Sequence, residues 1–189
     1  RLAEREPRVH HALRDPGTTA RLLRLLGASE ALGEFLIRRP EHLDLVLDPD
    51  AAAATAPALA QPDPTAGEPW GDASAALRRL LLDSVGADPD ADRPLAAVTG
   101  KDAAVALRRA YRRQLAAIAL RDLDSAEPTA AMPSVGRWLA DLAGATVDAA
   151  LAVSRAVLTE REGPVVDRVD LAVIGMGKCG AGELNLALI

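Results

Sequence analysis

The sequence predicts a mainly α-helical protein. Its 40 Ala and 29 Leu supply 69 of the 189 residues, whereas aromatic residues make up only 2%. This composition favours helices and argues against an all-β sandwich, in which β-branched and aromatic residues are common. Apolar residues also recur at helical spacing, as Leu107, Tyr111, Leu115 and Ile118 illustrate. We therefore expect helices along most of the chain up to residue 162.

The first predicted unit is a helical hairpin within residues 1–47. Residues 18–19 are threonines that can cap a first helix, and Ser29 can cap a second. The second helix is expected to stop at Arg39, because Pro40 disfavours helix at the residue before it. A short helical turn should complete the hairpin.

A linker and a helical subdomain are expected next. Residues 48–71 are rich in Pro and Ala and poor in large apolar side chains, which is typical of a linker. Residues 72–162 are predicted to form a helical subdomain. Within it, Pro128 and Pro133 are expected to break the chain. Ser134 should then cap a long helix with two apolar stripes, the pattern of a central helix.

The last segment, residues 163–189, departs from the helical pattern. Residues 169–174 form a short, mostly apolar run that predicts a buried strand. No earlier segment has the pattern of a partner strand, and a lone strand is not stable. We therefore expect the chain to be a fragment whose remaining sheet lies beyond Ile189.

A glycine-rich turn, residues 175–182, follows the predicted strand. Clustered glycines let the backbone approach a phosphate closely, and a helix start supplies amide donors. Lys178 would add a full positive charge. Gly175, Gly177 and Gly180 also fit the G-x-G-x-x-G pattern of dinucleotide sites, although such domains usually begin with this strand. A Walker-type phosphate loop is excluded, because Ala and Gly stand where Lys and Ser or Thr are required after the last glycine.

A resemblance to a known family favours one interpretation of this turn. Residues 175–185, whose sequence is GMGKCGAGELN, resemble the signature of the glutamine synthetase adenylyltransferase family. Enzymes of this family attach AMP to glutamine synthetase and remove it. Residues 20–47 are similar to the family's first helical hairpin, residues 107–123 to its arginine-rich helix, and residues 139–151 to the helix before its catalytic strand.

The resemblance implies a nucleotidyltransferase with a DNA-polymerase-β-like α/β fold, of which residues 163–189 would be the truncated start. The glycine turn would then hold nucleotide phosphates. The implied nucleotide-binding residues are Gly175, Gly177, Lys178, Gly180 and Glu183. ATP and Mg²⁺ are the implied cofactors of the full-length enzyme, and glutamine synthetase and a PII-type nitrogen signal protein are the implied partners. The Asp pair that would hold the metal is expected after Ile189, so we predict no catalytic residue or metal ligand within the chain and no activity of the chain alone.

Departures from the family signature keep two alternatives open. Ala181, Gly182 and Leu186 replace the family's usual Gly, Arg and Tyr, and the expected Ser-Asp-x-Asp does not follow. The alternatives are a helical interaction module without catalysis and a truncated dinucleotide-binding protein. The direction of the AMP reaction is also left open.

Composition bounds the remaining function classes. The net charge of −5 gives no reason to expect nucleic-acid binding, and a single cysteine excludes an internal disulfide. No uninterrupted apolar run is long enough for a membrane span, so we expect no membrane partner. With one cysteine, a reducing cytoplasm is the expected location. We expect Phe35 and Trp138 in the core and Cys179 as a packing residue.

The histidines are expected to be solvated or capping; they are His10, His11 and His42. Four arginines of one helix are expected to be solvated or structural, with phosphate or acidic-partner contact as the alternative; they are Arg108, Arg109, Arg112 and Arg113.

Overall fold

The computed structural model describes residues 7–48, 72–163 and 169–186. Helices dominate these ranges, and no β-strand occurs within them, which confirms the mainly α prediction. The α-helices are α1 (Pro7–Ala12), α2 (Pro16–Ala28), α3 (Glu30–Arg38), α4 (Asp44–Leu47), α5 (Asp72–Ser84), α6 (Gly100–Leu123), α7 (Pro128–Glu162) and α8 (Gly177–Gly180), and a 3-10 turn spans Pro40–Leu43.

Side-chain caps set the starts of the two hairpin helices. Oδ2 of Asp15 accepts a hydrogen bond from the backbone N of Thr18 at 2.7 Å, and Pro16 follows as the first residue of α2. The helix therefore begins before the predicted threonine cap. Oγ of Ser29 accepts from the backbone N of Leu32 at 3.2 Å, which confirms the predicted cap of α3.

The predicted break before Pro128 is confirmed, because α6 ends at Leu123 and α7 begins at Pro128, whereas the predicted break at Pro133 is wrong. The helix begins at Pro128 and continues through Pro133 for 35 residues, so Ser134 lies inside it rather than at its cap. Proline suits the first helical position, where its missing N–H has no partner to lose. Pro133 is still close to the start and removes one intrahelical hydrogen bond, the one to the carbonyl of Thr129.

By length and composition alone, α7 is also a candidate membrane span. The core helix of a water-soluble protein passes the same test, and α7 packs one side against α5 and α6. The finding is therefore weak evidence for a membrane.

One hydrophobic cluster joins the hairpin to the later helices. Helices α5 and α6 pack against α7, and α2, α3 and α4 pack against α6. Phe35 and Trp138 are 4% and 5% exposed, which confirms both as core residues. The predicted boundaries between hairpin, linker and subdomain stay predictions, and residues 49–71 lie outside the described residues.

The prediction of a buried strand at residues 169–174 is not confirmed. Val169 and Leu171 are each 60% exposed and Ile174 is 82% exposed, and the segment pairs with no described strand. Arg93 forms an ion pair with Asp170 and donates to the carbonyl of Val169. Without a partner strand the backbone polar groups of an apolar run have no ladder to join, which explains the missing strand.

Candidate nucleotide-binding loop

The glycine loop, residues 175–183, is a tight turn with unusual backbone angles. Helix α8 is a single turn within it, and Gly177 and Gly182 adopt φ angles of +57° and +70°. Both angles lie in the left-handed region, which side chains with a Cβ rarely adopt. The amide of Glu183 donates to the carbonyl oxygen of Lys178 at 2.8 Å and closes the turn.

The loop brings together two glycines that the sequence analysis assigned to the site. A Cβ on Gly180 would lie only 2.2 Å from the carbonyl oxygen of Gly175. Since no side chain fits there, the backbone after the turn passes directly over the backbone before it. Gly175 and Gly180 are therefore required for this close approach of two backbone segments.

The charged side chains of the loop lie at the protein surface. Lys178 and Glu183 are both exposed, and the free thiol of Cys179 is partly buried. Across the described ranges, no group of three His, Cys, Asp or Glu side chains is placed to hold a metal ion. The loop therefore offers one cation and exposed backbone, which suit an anionic ligand.

The chain leaving the glycine loop crosses α7 at Gly136. A Cβ on Gly136 would lie 2.9 Å from the carbonyl oxygen of Leu184 and 3.1 Å from that of Gly182. The next helix residue, Arg137, places its Cδ 3.1 Å from the position of a Cβ on Gly182. Leu184 packs against the hydrophobic core and anchors the crossing.

The buried carboxylate of Asp141 anchors Arg137. Nε of Arg137 donates to Oδ1 of Asp141 at 3.3 Å, and the side chain of Arg137 is 41% exposed whereas that of Asp141 is 6% exposed. Burial raises the pKa of Asp141, and the charge of Arg137 opposes that shift. Sequence reasoning missed Gly136 and Arg137 as loop contacts. The available signal was a glycine inside a long helix, since glycine lowers helix stability and its presence there invites a packing explanation.

The arginine-rich side of α6 serves two roles. Arg108, Arg109 and Arg112 are exposed, as predicted for a solvated face. Arg113 is partly buried, and its Nη1 and Nη2 donate to the two carboxylate oxygens of Asp44 at 2.9 and 2.7 Å. Arg113 therefore has the structural role and ties α6 to the hairpin.

His42 is buried, and the prediction of a solvated or capping histidine is wrong for it. It is 9% exposed, and its ring stacks on Phe35 with centroids 5.0 Å apart. Nη1 of Arg113 lies 3.0 Å from His42 Nδ1. Because a guanidinium can only donate, Nδ1 is the acceptor and the neutral ring carries its proton on Nε2. Burial lowers the pKa of His42, and the nearby charge of Arg113 lowers it further.

A mainly apolar groove of about 290 Å³ lies between the hairpin and α6. Leu25, Leu32 and Leu115 contribute to its walls, together with Arg112 and with Leu186 from the segment after the glycine loop. None of the predicted nucleotide-binding residues lines it. The groove is therefore separate from the candidate site.

Comparison with known proteins places the chain in a family. The family model described as "Glutamate-ammonia ligase adenylyltransferase" matches residues 19–187. This chain belongs to that family. The matched range of the glutamate-ammonia ligase adenylyltransferase family includes the hairpin, the arginine-rich helix and the glycine loop, which carried the resemblance in the sequence. Membership argues against the alternative of a truncated dinucleotide-binding protein.

Curated relatives are similar to the chain over nearly its whole length. A "Bifunctional glutamine synthetase adenylyltransferase/adenylyl-removing enzyme" from Bifidobacterium longum (strain DJO10A) is 38% identical over 180 residues, which is 94% of this chain. A protein of the same name from Leifsonia xyli subsp. xyli is 39% identical and aligns with 98% of the chain. The chain spans only 15% and 17% of the lengths of these two relatives. No solved structure matches the chain.

Proposed function

We propose that this chain is part of an enzyme that attaches AMP to glutamine synthetase and removes it, and that its glycine loop binds nucleotide phosphates. Family membership and the names of the relatives support the enzyme and its protein substrate. The observation that carries the role of the loop is its geometry. Two left-handed glycines and a side-chain-free crossing lie beside the exposed Lys178.

Each loop residue has a physical part in the proposed binding. Gly175 and Gly180 let the loop fold tightly on itself, because a side chain on Gly180 would collide with the carbonyl oxygen of Gly175. Gly177 permits the left-handed start of the turn. Lys178 supplies the positive charge that offsets the charge of a phosphate. Glu183 closes the turn through its amide, and its side chain is a proposed nucleotide contact on family grounds alone.

The described residues do not suit the Mg²⁺ that the resemblance implies. They contain no group of three potential ligands, and Asp170 is engaged by Arg93. When bound in the longer protein, Mg²⁺ would neutralise charge at the α-phosphorus. We therefore propose that this chain performs no chemical step and is inactive alone.

We further propose that residues 169–174 become a strand when the rest of an α/β nucleotidyltransferase domain is present. Their apolar side chains, 60–82% exposed at Val169, Leu171 and Ile174, support this proposal, since such a run is stable in a sheet and costly in water. In a longer protein, hydrogen exchange at residues 169–174 should be slower than in this chain. Equal exchange in the two proteins would contradict the strand.

The phosphate role of the loop is tested by removing its charge. The chain contains only two lysines, Lys178 in the loop and Lys101 on α6, and both are exposed. Lys178→Ala should weaken ATP binding about tenfold or more in calorimetric titration, because a hydrogen bond to a charged group contributes about 1.5–3 kcal/mol. Lys101→Ala is the matched control and should leave the affinity unchanged. Absence of ATP binding, or equal loss in both variants, would contradict the proposed role and favour the non-catalytic interaction module.

A further inference from the structure

We propose that Gly136 and Arg137 of α7 are positioning residues that hold the glycine loop in its phosphate-binding shape. This inference rests on the proposed function, because it assigns a role in nucleotide binding to residues about forty positions upstream of the loop. Neither residue is expected to touch the nucleotide. Their effect would pass through the docked loop.

The first support is the fit between the loop exit and the helix surface. A Cβ on Gly136 would meet the carbonyl oxygens of Gly182 and Leu184 at 3.1 and 2.9 Å and the Cα of Glu183 at 3.3 Å. All three are backbone atoms, so no side-chain rotation can make room. Only a glycine at position 136 lets the chain from Gly182 to Leu184 lie directly on α7.

The second support is the contact that Arg137 makes with Gly182. The Cδ of Arg137 fills the space beside the Gly182 backbone, and its Nε is tied to the buried Asp141 at 3.3 Å. The carboxylate is on the same helix one turn further along, so the arginine stem is fixed along α7. The backbone of residues 182–184 therefore lies on Gly136, and the Arg137 side chain packs beside Gly182.

A third consideration is that glycine is a poor residue for the interior of a helix. Alanine at position 136 would favour the helical state of α7. Alanine at position 136 should therefore stabilise α7 and displace the glycine loop. A variant that merely disturbed folding would destabilise both, so the two effects distinguish a positioning role from a general effect on folding.

The decisive experiment compares Gly136→Ala with Gly27→Ala. Gly27 also lies in a helix, α2, and a Cβ there would meet nothing within 4 Å. Gly136→Ala should keep or raise the melting temperature, speed hydrogen exchange at residues 182–184, and weaken ATP binding about tenfold if about a tenth of the molecules keep the loop docked. Gly27→Ala should change neither the exchange of the loop nor the affinity for ATP.

The two proposals fail in different ways. If the unaltered chain binds no ATP, or Lys178→Ala has no effect, the phosphate role of the loop is overturned and the inference with it. If Lys178→Ala weakens binding while Gly136→Ala matches the unaltered chain in affinity and loop exchange, only the inference is overturned. A Gly136→Ala variant that loses helical structure as well as binding would also overturn it, since Gly136 would then be required by the fold.

Arg137 is tested on the same scale. Arg137→Ala should weaken ATP binding about fivefold, and Arg137→Lys should restore most of it, because the lysine keeps the stem along Gly182. Arg155→Ala is the control on the same helix, about 27 Å further along its axis. In the double variant with Gly136→Ala the losses should not add, since both residues act through one docked loop. Additive losses, or equal effects of Arg155→Ala, would contradict a shared positioning role.

Discussion

Two regions of the molecule bury their apolar side chains to very different extents. One is the helical body, residues 7–48 and 72–163, and the other is the terminal segment, residues 169–186. Leu142 in α7 is 0% exposed, whereas Ile174 is 82% exposed. The body buries most of its large apolar side chains within itself, although Leu23 and Met132 are 61% and 69% exposed.

The terminal segment is held by its crossing at Gly136 and Arg137, by the packing of two leucines, and by the ion pair and hydrogen bond that Arg93 makes with it. The body therefore supplies most of the free energy of folding. The terminal segment, which carries the candidate site, keeps its position through its contacts with the body.

The largest expected effect separates these two regions directly. Leu142→Ala should lower the free energy of unfolding by about 3–5 kcal/mol, the range for a cavity in a rigid core. Ile174→Ala removes a comparable side chain and should change the free energy by less than about 0.5 kcal/mol, because that side chain lies in water in either state. Urea unfolding measures both. Similar losses of stability in the two variants would contradict the difference in burial between the body and the terminal segment.

A smaller loss of stability should show whether the ion pair between Arg113 and Asp44 helps to hold the hairpin against α6. Arg113→Ala should cost about 1–3 kcal/mol, since it removes two charge-assisted hydrogen bonds to Asp44 and one to His42. The neighbouring Arg112 is exposed, and Arg112→Ala should stay within about 0.5 kcal/mol. A two-state urea transition should persist in both. If Arg113→Ala is as mild as Arg112→Ala, the Arg113–Asp44 ion pair adds little, and the hairpin is held by apolar packing and by the ion pairs of Arg21 and Arg24 with Asp124.

The helix caps offer a third, still smaller difference. Ser29→Ala should cost about 1 kcal/mol, because the Leu32 amide loses its acceptor at the start of α3. Thr99 occupies the same position of α6 but makes no side-chain cap bond, so Thr99→Ala should cost clearly less. Thermal unfolding of the two variants provides the measurement. Equal costs would mean that the cap bond of Ser29 adds little to the body.

The smallest effect is a pH dependence of the body at His42. The unfolded chain protonates this residue near its ordinary pKa of 6.5, whereas burial lowers the pKa in the folded state. The folded protein thus binds fewer protons, and its stability should fall as the pH drops below about 6.5 towards the folded pKa. Above that range the contribution is constant. His42→Gln should remove this slope in unfolding measured at a series of pH values, and an unchanged slope would contradict the assignment.

Local features of the fold were predictable from the sequence. The Ser29 cap, the helical stripe of α6 and the core positions of Phe35 and Trp138 depend on residues within a few positions of each other. Such patterns act through periodicity and capping, which the sequence displays directly. The family signature likewise located the glycine loop as the candidate site.

Features that depend on distant contacts were not predictable. The burial of His42 follows from Arg113 and Phe35, which reach it from other elements. Pro133 lies inside α7 because the helix begins five residues earlier, at Pro128, a boundary that the sequence pattern does not mark. Gly136 matters because of a chain crossing that joins residues far apart in sequence. An apolar run at residues 169–174 predicts a strand only where partner strands are present.

The most direct test of the account is a map of hydrogen exchange along the chain with and without ATP. We predict that ATP slows exchange at residues 175–183 and leaves the core amides of α6 and α7 unchanged, and that Lys178→Ala abolishes the slowing. Slowing confined to the helical body, or none at the glycine loop, would contradict the claim that this loop binds the nucleotide phosphates.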